Sequence, residues 1–161
     1  MLILGVDPGS SVTGYGIVKK NRARSTHIAS GVIRTSGNRA QPKRLWQIYR
    51  KLEEVIQEHN PSVMVVESLF HGVNSQSLMK LSQARGIVLL LGEIHGMEIF
   101  EYAPMQIKKG LTGYGNAEKE QVLFMVGKLL ELQGLKSLDE ADALAMALYH
   151  SHICPLERYG S

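Results

Sequence analysis

The chain has a single cysteine, Cys154, and no apolar run long enough to span a membrane. One cysteine excludes a disulfide within the chain. The apolar run at Leu2–Val6 is too short for a signal peptide or a transmembrane helix, and no charged segment precedes it. Internal repeats and low-complexity tracts are also absent. These absences predict a soluble, cytoplasmic protein that does not associate with membranes.

The charge balance is only mildly basic. Lys and Arg number 18 against 15 Asp and Glu, which gives a formal net charge of +3. Such a balance permits a polyanionic partner without requiring one. With 161 residues, 44% of them hydrophobic, the chain can bury one ordinary core. We expect a single domain over residues 1–154, followed by a short tail at 155–161.

The first strand ends in a carboxylate. The apolar run at Leu2–Val6 stops at Asp7-Pro8-Gly9, which predicts a buried strand with Asp7 at its end. A second run follows within a few residues, so the two strands should form a hairpin, and Ser25–Thr35 should add a third antiparallel strand. Asp-Pro-Gly is also an ordinary turn sequence, and Asp7 alone does not decide between a turn residue and a ligand.

A second strand also ends in a carboxylate. Apolar residues at helical spacing predict an amphipathic helix over Lys43–His59, with its basic residues expected on a solvated face (Lys43, Arg44, Arg50 and Lys51). The continuous apolar run Val63–Val66 then predicts a strand buried on both faces, and it ends at Glu67. Since a helix joins this strand to the first, the two should be parallel and should place Asp7 and Glu67 at the same edge of the sheet.

The middle of the chain carries possible contacts to a polyanion. Helices are predicted at 77–96, 104–111 and 117–133, with a short strand at 97–102. Lys108, Lys109 and Lys119 flank the TGYGN loop and could hold phosphates, although isolated lysines are more often plain surface. Phe70 follows Glu67 in a polar loop, where it could either stack on a base or fold back onto the core.

The last helix, predicted over 138–150, carries two more carboxylates. Asp139 and Asp142 are three residues apart and share one face. The helix dipole alone explains an acidic residue in the first turn, such as Asp139. Asp142 lies among apolar residues, and we expect it to be buried, where a carboxylate is costly unless it is paired or ligating. His150 is about 12 Å farther along the helix, too far to join the same site, and is expected to be structural or distal.

Four carboxylates therefore come from three elements: Asp7, Glu67, Asp139 and Asp142. Together they would raise one another's pKa values, and a divalent cation would relieve that repulsion. Oxygen ligands without clustered Cys or His favour Mg²⁺ or Mn²⁺ over Zn²⁺. Such a cluster suits two-metal hydrolysis of a phosphodiester.

Five motifs resemble the RuvC family of crossover junction endodeoxyribonucleases, in the family's order: LGVDPGSSVTGYGIV, VVESLF, QARG, QIKKGLTGYGNAEKEQV and DEADALAMALYH. The resemblance implies an α/β, ribonuclease H-like fold with a mixed five-stranded sheet and helices on both faces. It also implies roles for the residues that match the family's positions. The four carboxylates match its metal-binding positions, although some relatives carry His in place of Asp139. Phe70 matches its junction-stacking aromatic, and Lys108 and Lys119 match its phosphate-contacting lysines, whereas the role of Lys109 is not settled.

The resemblance implies a homodimer that binds a four-way DNA junction and makes paired, symmetric nicks in strands of like polarity. The ends would be 5′-phosphate and 3′-hydroxyl, with two Mg²⁺ ions per site and Mn²⁺ as a substitute. The family's partner is a branch-migration motor of the RuvA and RuvB type. For the dimer interface we expect the segment Gln83–Leu91.

Three alternatives remain at this stage. An ATPase of the actin and hexokinase group opens with a similar Asp-x-Gly strand but needs a duplicated domain, for which this chain is too short. A non-catalytic binder of branched nucleic acid would gain nothing from four carboxylates near phosphates. A related nuclease acting on structured RNA shares the first motif but not the later ones.

Overall fold

A computed structural model describes residues 1–22, 24–68, 75–135 and 137–155. Phe70 and His71 lie outside the described residues, as does most of the expected tail. The elements in chain order are β1 (Leu2–Asp7), β2 (Val12–Lys20), β3 (Ser25–Arg34), α1 (Gln41–His59), β4 (Val63–Glu67), α2 (Ser75–Ile94), β5 (Glu98–Tyr102), α3 (Pro104–Thr112), α4 (Lys119–Leu129) and α5 (Leu138–Ile153).

One mixed sheet of five strands has the order β3-β2-β1-β4-β5. The strands β1, β2 and β3 are antiparallel neighbours, whereas β4 runs parallel to both β1 and β5. Val6 pairs with Val66, so Asp7 and Glu67, the next residues, end adjacent parallel strands at the same edge. The sequence-based prediction of the parallel pair, and of the edge it creates, is confirmed.

Helices cover both faces of the sheet, as expected. Side chains alternate along a strand, so Ile3, Val63 and Val65 face the helices α3, α4 and α5. Leu4 and Met64, one residue along, face α1 and α2 on the opposite side. Each face thus has its own apolar core, and the central strands β1 and β4 are buried between the two.

The helix α5 lies unusually close to the sheet because two glycines face it. A Cβ atom on Gly5 would lie 2.0 Å from the carbonyl oxygen of Ala143, and one on Gly14 would lie 2.0 Å from that of Asp139. Any side chain at these two positions would push the helix away from β1 and β2. The glycines therefore fix how near the acidic start of α5 comes to the end of β1.

Several helix ends differ from the sequence-based prediction. The helix α1 begins at Gln41, two residues early, because Pro42 fits the first helical turn and Ala40 is extended before it. The helix α4 is shorter than predicted and stops at Leu129, since Glu131 takes a positive φ of 55° that ends the helix. No helix in the described ranges is long and apolar enough to cross a membrane.

His150 is structural, as the sequence predicted. Its ring is buried and packs against Phe100 in a tilted arrangement, with ring centroids 4.3 Å apart, and it shares a 2.7 Å hydrogen bond between Nδ1 and the Tyr102 hydroxyl. Burial lowers the pKa of His150 to about 4, so the ring is neutral at physiological pH. Cys154 is also buried and follows the end of α5.

Candidate active site

Asp7 stands at the centre of an acidic cluster. Burial, together with the charges of Asp142, Glu67 and Asp139, raises the pKa of Asp7 to about 7. Burial is the largest cause, and the three carboxylates follow in that order. Three carboxylates from β4 and α5 therefore lie near enough to Asp7 to raise its pKa, at the edge where β1 and β4 end.

The start of α5 presents two of these carboxylates. Ser137 caps the helix by accepting a 3.4 Å hydrogen bond at Oγ from the backbone N–H of Glu140. Ser30 on β3 donates a 2.6 Å hydrogen bond to Glu140 Oε1, and this tethers the first turn of α5 to the sheet. Asp139 and Asp142 extend from this tethered end towards Asp7.

Asp142 is less buried than its sequence context suggested. Its neighbours Ala141 and Ala143 are buried, but its own side chain is 24% exposed. The reason is its position over the open edge, where Lys119 Nζ donates a 2.9 Å hydrogen bond to Asp142 Oδ2. Asp142 is therefore paired with a lysine, and the expectation of full burial is wrong.

Lys108 and Lys119 face the acidic edge, and Lys109 does not. A cavity of about 180 Å³ is lined by Glu67, Asp142, Lys108 and Lys119 over an apolar floor. Both lysines lower the pKa of Glu67, which burial and Asp142 raise. Lys109 lies in a separate groove beside the TGYGN loop. Lys108 and Lys109 are neighbours in sequence, but only Lys108 lies at the acidic edge.

The donor set fits a hard divalent cation. In the parts of the chain that are described, no three His, Cys, Asp or Glu side chains are close enough to hold a metal as they stand. The cation that the cluster does hold is the Lys119 ammonium on Asp142. The bound ammonium and the raised pKa of Asp7 show that the negative charge of the acidic cluster is only partly compensated. Oxygen ligands of this kind suit Mg²⁺ or Mn²⁺.

Two buried arginines hold the strand ends that carry the acids, and the sequence analysis missed both roles. Arg85 on α2 donates a 2.8 Å hydrogen bond from Nη1 to the carbonyl oxygen of Glu67 and pairs with Glu101 at 2.5 Å. Arg44 on α1 donates to Ser11 Oγ at 3.0 Å and to the carbonyl oxygen of Ser10. These serines lie in the turn that follows Asp7.

Arg44 therefore does not lie on a solvated face, and that expectation is wrong. The sequence contained a signal, because Arg44 lies four residues before Ile48 and continues the stripe of Ile48, Leu52 and Ile56. A basic residue on the buried stripe of a helix needs a buried partner, and here the turn after Asp7 provides it.

Comparisons with known proteins agree with these features. The family model described as "Crossover junction endodeoxyribonuclease RuvC" matches residues 3–150. Proteins of that name from Alkaliphilus metalliredigens and Geobacter sulfurreducens are 46% and 45% identical, over 94% of this chain and 93% of each relative.

A solved structure of Thermus thermophilus RuvC with a Holliday junction substrate superposes with a TM-score of 0.87 and 33% identity. The match covers 94% of this chain and 93% of that one. It supports the ribonuclease H-like fold that the motifs implied, with the same mixed sheet. The match extends over nearly the full length of the chain and includes the strand ends that carry the carboxylates. The chain belongs to the RuvC family of crossover junction endodeoxyribonucleases.

Proposed function

We propose that this chain resolves four-way DNA junctions by metal-dependent hydrolysis of phosphodiester bonds. The single observation that carries the proposal is the position of Asp7, whose pKa is raised to about 7 by burial and by three carboxylates from two other elements. A group of like charges at the open end of a sheet is unfavourable by itself and becomes favourable around divalent cations. The likeness to the Thermus thermophilus protein, solved with a Holliday junction, supports the choice of substrate.

The ligands in this proposal are Asp7, Glu67, Asp139 and Asp142, holding two Mg²⁺ ions or Mn²⁺ in their place. When bound, the ions would supply an activated water and would stabilise the leaving oxygen, as in other two-metal phosphodiester sites. The chain's own residues do the rest. Asp7 must lose its proton to bind. Arg85 holds the backbone of Glu67, and Arg44 holds the turn at Ser10 and Ser11 that follows Asp7.

Lys108 and Lys119 are the proposed contacts to the scissile phosphate. Both line the cavity that Glu67 and Asp142 share, so a phosphate held there would lie between cations and carboxylates. Lys119 Nζ donates a 2.9 Å hydrogen bond to Asp142 Oδ2, and from this position at the cavity wall it would reach an oxygen of a phosphate held there. Phe70, which lies outside the described residues, is proposed to stack at the centre of the junction.

A homodimer is proposed because a four-way junction has two-fold symmetry and needs two matched nicks. The helix α2 supports this proposal, since Met79, Leu90 and Ile94 are exposed on it and Gly86 faces open space. This surface overlaps the segment Gln83–Leu91 expected from sequence. We also propose a branch-migration motor of the RuvA and RuvB type as the partner, a nuclease domain over residues 1–154, and action on DNA in the cytoplasm.

The deciding experiment is cleavage of a synthetic mobile four-way junction, with and without Mg²⁺, beside a linear duplex of the same sequence. We expect paired nicks that ligase can seal, on the junction only and only with the metal. Asp7→Asn provides the matched control, because it has almost the same shape and one ligand fewer. Cutting of the linear duplex at the same rate, or undiminished cutting by Asp7→Asn, would refute the proposal. A structured RNA should be included, since preferential cleavage of it would favour the RNA-directed alternative.

A further inference from the structure

The outer face of α1 carries a groove that the acidic edge does not use. Its volume is about 500 Å³, and its lining includes four basic side chains, one tryptophan and one carboxylate (Arg39, Lys43, Arg50, Lys51, Trp46 and Glu54). The opposite face of the same helix is buried against the sheet through Ile48, Leu52 and Ile56. The groove is therefore held on a rigid, well-packed element.

The charge of this groove is concentrated. Four cations against one carboxylate give it a formal charge of +3, which equals the net charge of the whole chain. Glu54 forms ion pairs with Arg50 at 3.3 Å and with Lys51 at 3.2 Å. Within the described ranges, neither Arg39 nor Lys43 has an acidic partner within 4.0 Å. The rest of the chain has 14 basic and 14 acidic residues, so the excess positive charge of the groove equals that of the whole chain.

An exposed aromatic stands among these cations. The Trp46 side chain is 60% exposed and stacks almost parallel on Tyr49, with ring centroids 5.4 Å apart. The stacking holds the indole in place at the surface. Aromatic and basic side chains side by side, with few acids, are typical of surfaces that bind nucleic acid. The cores of protein interfaces, in contrast, are depleted in Lys.

The groove leads away from the proposed site of chemistry. The N-terminal turn of α1 lies at the edge where β1 ends, because Arg44 reaches the turn after Asp7. From Lys43 to Lys51 the helix extends about 12 Å. Duplex DNA has a phosphate every 3.4 Å along the axis of each strand, so this length matches roughly three phosphates of one strand.

We propose that the α1 groove binds the phosphate backbone of a duplex arm of the DNA substrate, outside the point of cleavage. This inference rests on the proposed function for its substrate. Arg39 and Lys43 contact the arm near the acidic edge, and Arg50 and Lys51 contact it one to two helical turns farther out. Trp46 lies against the sugar-phosphate surface between them. The groove holds the arm and takes no part in bond breaking.

The test compares two variants that each lose two positive charges. Lys43→Gln with Arg50→Gln removes charge from the groove. Lys19→Gln with Arg22→Gln removes the same charge from the opposite end of the sheet, where Lys19 pairs with Leu2. Binding of a labelled junction and of a linear duplex is measured without Mg²⁺ by fluorescence anisotropy between 50 and 200 mM salt, a range in which phosphate contacts are strongly salt-dependent.

We expect the groove variant to bind roughly tenfold more weakly, with a salt slope lower by about 2, whereas the control stays near wild type. The cleavage rate of the groove variant, measured at a saturating concentration of junction, should equal that of wild type. Glu54→Gln should act in the opposite direction and tighten binding a few-fold, because it removes the one negative charge in the groove. The fluorescence of Trp46, the only tryptophan of the chain, should change when DNA binds.

Equal weakening of both double variants would overturn the inference, as would DNA binding that leaves Trp46 fluorescence unaltered. Sedimentation of the groove variant tests whether a second copy of the chain, and not DNA, occupies the groove. If it becomes monomeric while wild type is dimeric, the groove is an interface between copies and the DNA assignment is wrong. Failure of the proposed function would give a different result, because wild type would then bind duplex DNA through the groove without cutting junctions.

Discussion

The Lys119 ammonium lies 2.9 Å from Oδ2 of Asp142, so a lysine already occupies one carboxylate of the acidic cluster. It also lowers the pKa values of Asp7 and Glu67. A metal ion at the proposed site would compete with the lysine for this oxygen, and the lysine by itself offsets part of the negative charge of the cluster. This relationship leads to a prediction with opposite effects on binding and on catalysis.

Lys119→Met should bind Mg²⁺ more tightly, by about threefold to tenfold, and should cleave junctions more slowly. Binding tightens because a competing cation is lost, and cleavage slows because the phosphate loses its contact. Calorimetric titration of Mg²⁺ and single-turnover cleavage measure the two effects. Lys109→Met is the matched control, since Lys109 does not line the cavity, and it should leave Mg²⁺ affinity unchanged. Weaker Mg²⁺ binding by Lys119→Met would contradict the competition.

Arg85→Met should disturb the site through the backbone of Glu67. The change removes the 2.8 Å hydrogen bond to the Glu67 carbonyl oxygen and leaves Glu101 without its 2.5 Å partner. Glu101 is 47% exposed, so most of the effect should come from the hydrogen bond that the buried Arg85 donates to the Glu67 carbonyl oxygen. Losing a hydrogen bond from a charged group costs about 1.5–3 kcal/mol, which urea denaturation should show.

Arg85→Met should also weaken Mg²⁺ binding, whereas Glu101→Gln, which keeps a hydrogen-bond acceptor beside Arg85, should leave it nearly intact. Arg85→Lys should recover part of the Mg²⁺ affinity. If all three variants bind Mg²⁺ as wild type does, Arg85 supports the fold without positioning Glu67.

Asp7→Asn should abolish cleavage and stabilise the metal-free protein at high pH. The pKa of Asp7 is raised in the folded state from 3.8 to about 7, so the folded state holds the proton more firmly than the unfolded state. That contribution is complete below pH 4 and is lost as the pH rises through 7.

An asparagine has no proton to lose, so Asp7→Asn should exceed wild type by on the order of 2–4 kcal/mol at pH 8 and by much less at pH 5. Urea denaturation in the presence of a chelator measures the difference. Junction binding without metal should be retained. A stability difference that does not depend on pH would place the raised pKa of Asp7 in doubt.

His150→Gln should reduce the sensitivity of the fold to acid. Burial lowers the pKa of His150 to about 4, so the unfolded state takes up a proton between pH 6.5 and 4 before the folded state does. Wild type should therefore lose about 2–3 kcal/mol from this residue as the pH falls over that interval. The variant should lose less over the same interval, although its stability at pH 7 is lower because its contact with Phe100 is reduced. Denaturation at pH 7 and pH 4.5 measures both effects.

The pattern of the sequence was sufficient to predict the acidic edge. The helix α1 carries the chain from β3 across the sheet to β4, which favours a parallel alignment of β4 with β1, and this alignment brings Asp7 and Glu67 to one edge. The three-residue spacing of Asp139 and Asp142 predicted that both lie on one face of the last helix. None of this needed long-range information, because each step follows from strand handedness or helical repeat.

Contacts between distant elements could not be predicted in the same way. Arg85 reaches Glu67 across 18 positions, and Lys119 reaches Asp142 across 23, and neither distance has a periodic signature. The partial exposure of Asp142 also depends on where α5 crosses the sheet, which Gly5 and Gly14 set by close approach. Arg44 is different, since its helical stripe contained the signal and the expectation of a solvated face overlooked it.

The close packing of α5 on β1 and β2 also has a consequence for biosynthesis. Asp7 emerges from the ribosome in the first strand, and Asp139 and Asp142 only in the last helix. At about 5–20 residues per second, roughly 7–26 seconds separate them. During that time the nascent chain carries only part of the proposed metal site. Docking of α5 thus completes the core and the acidic cluster in one event, and translation cannot release a nuclease that is active before it is folded.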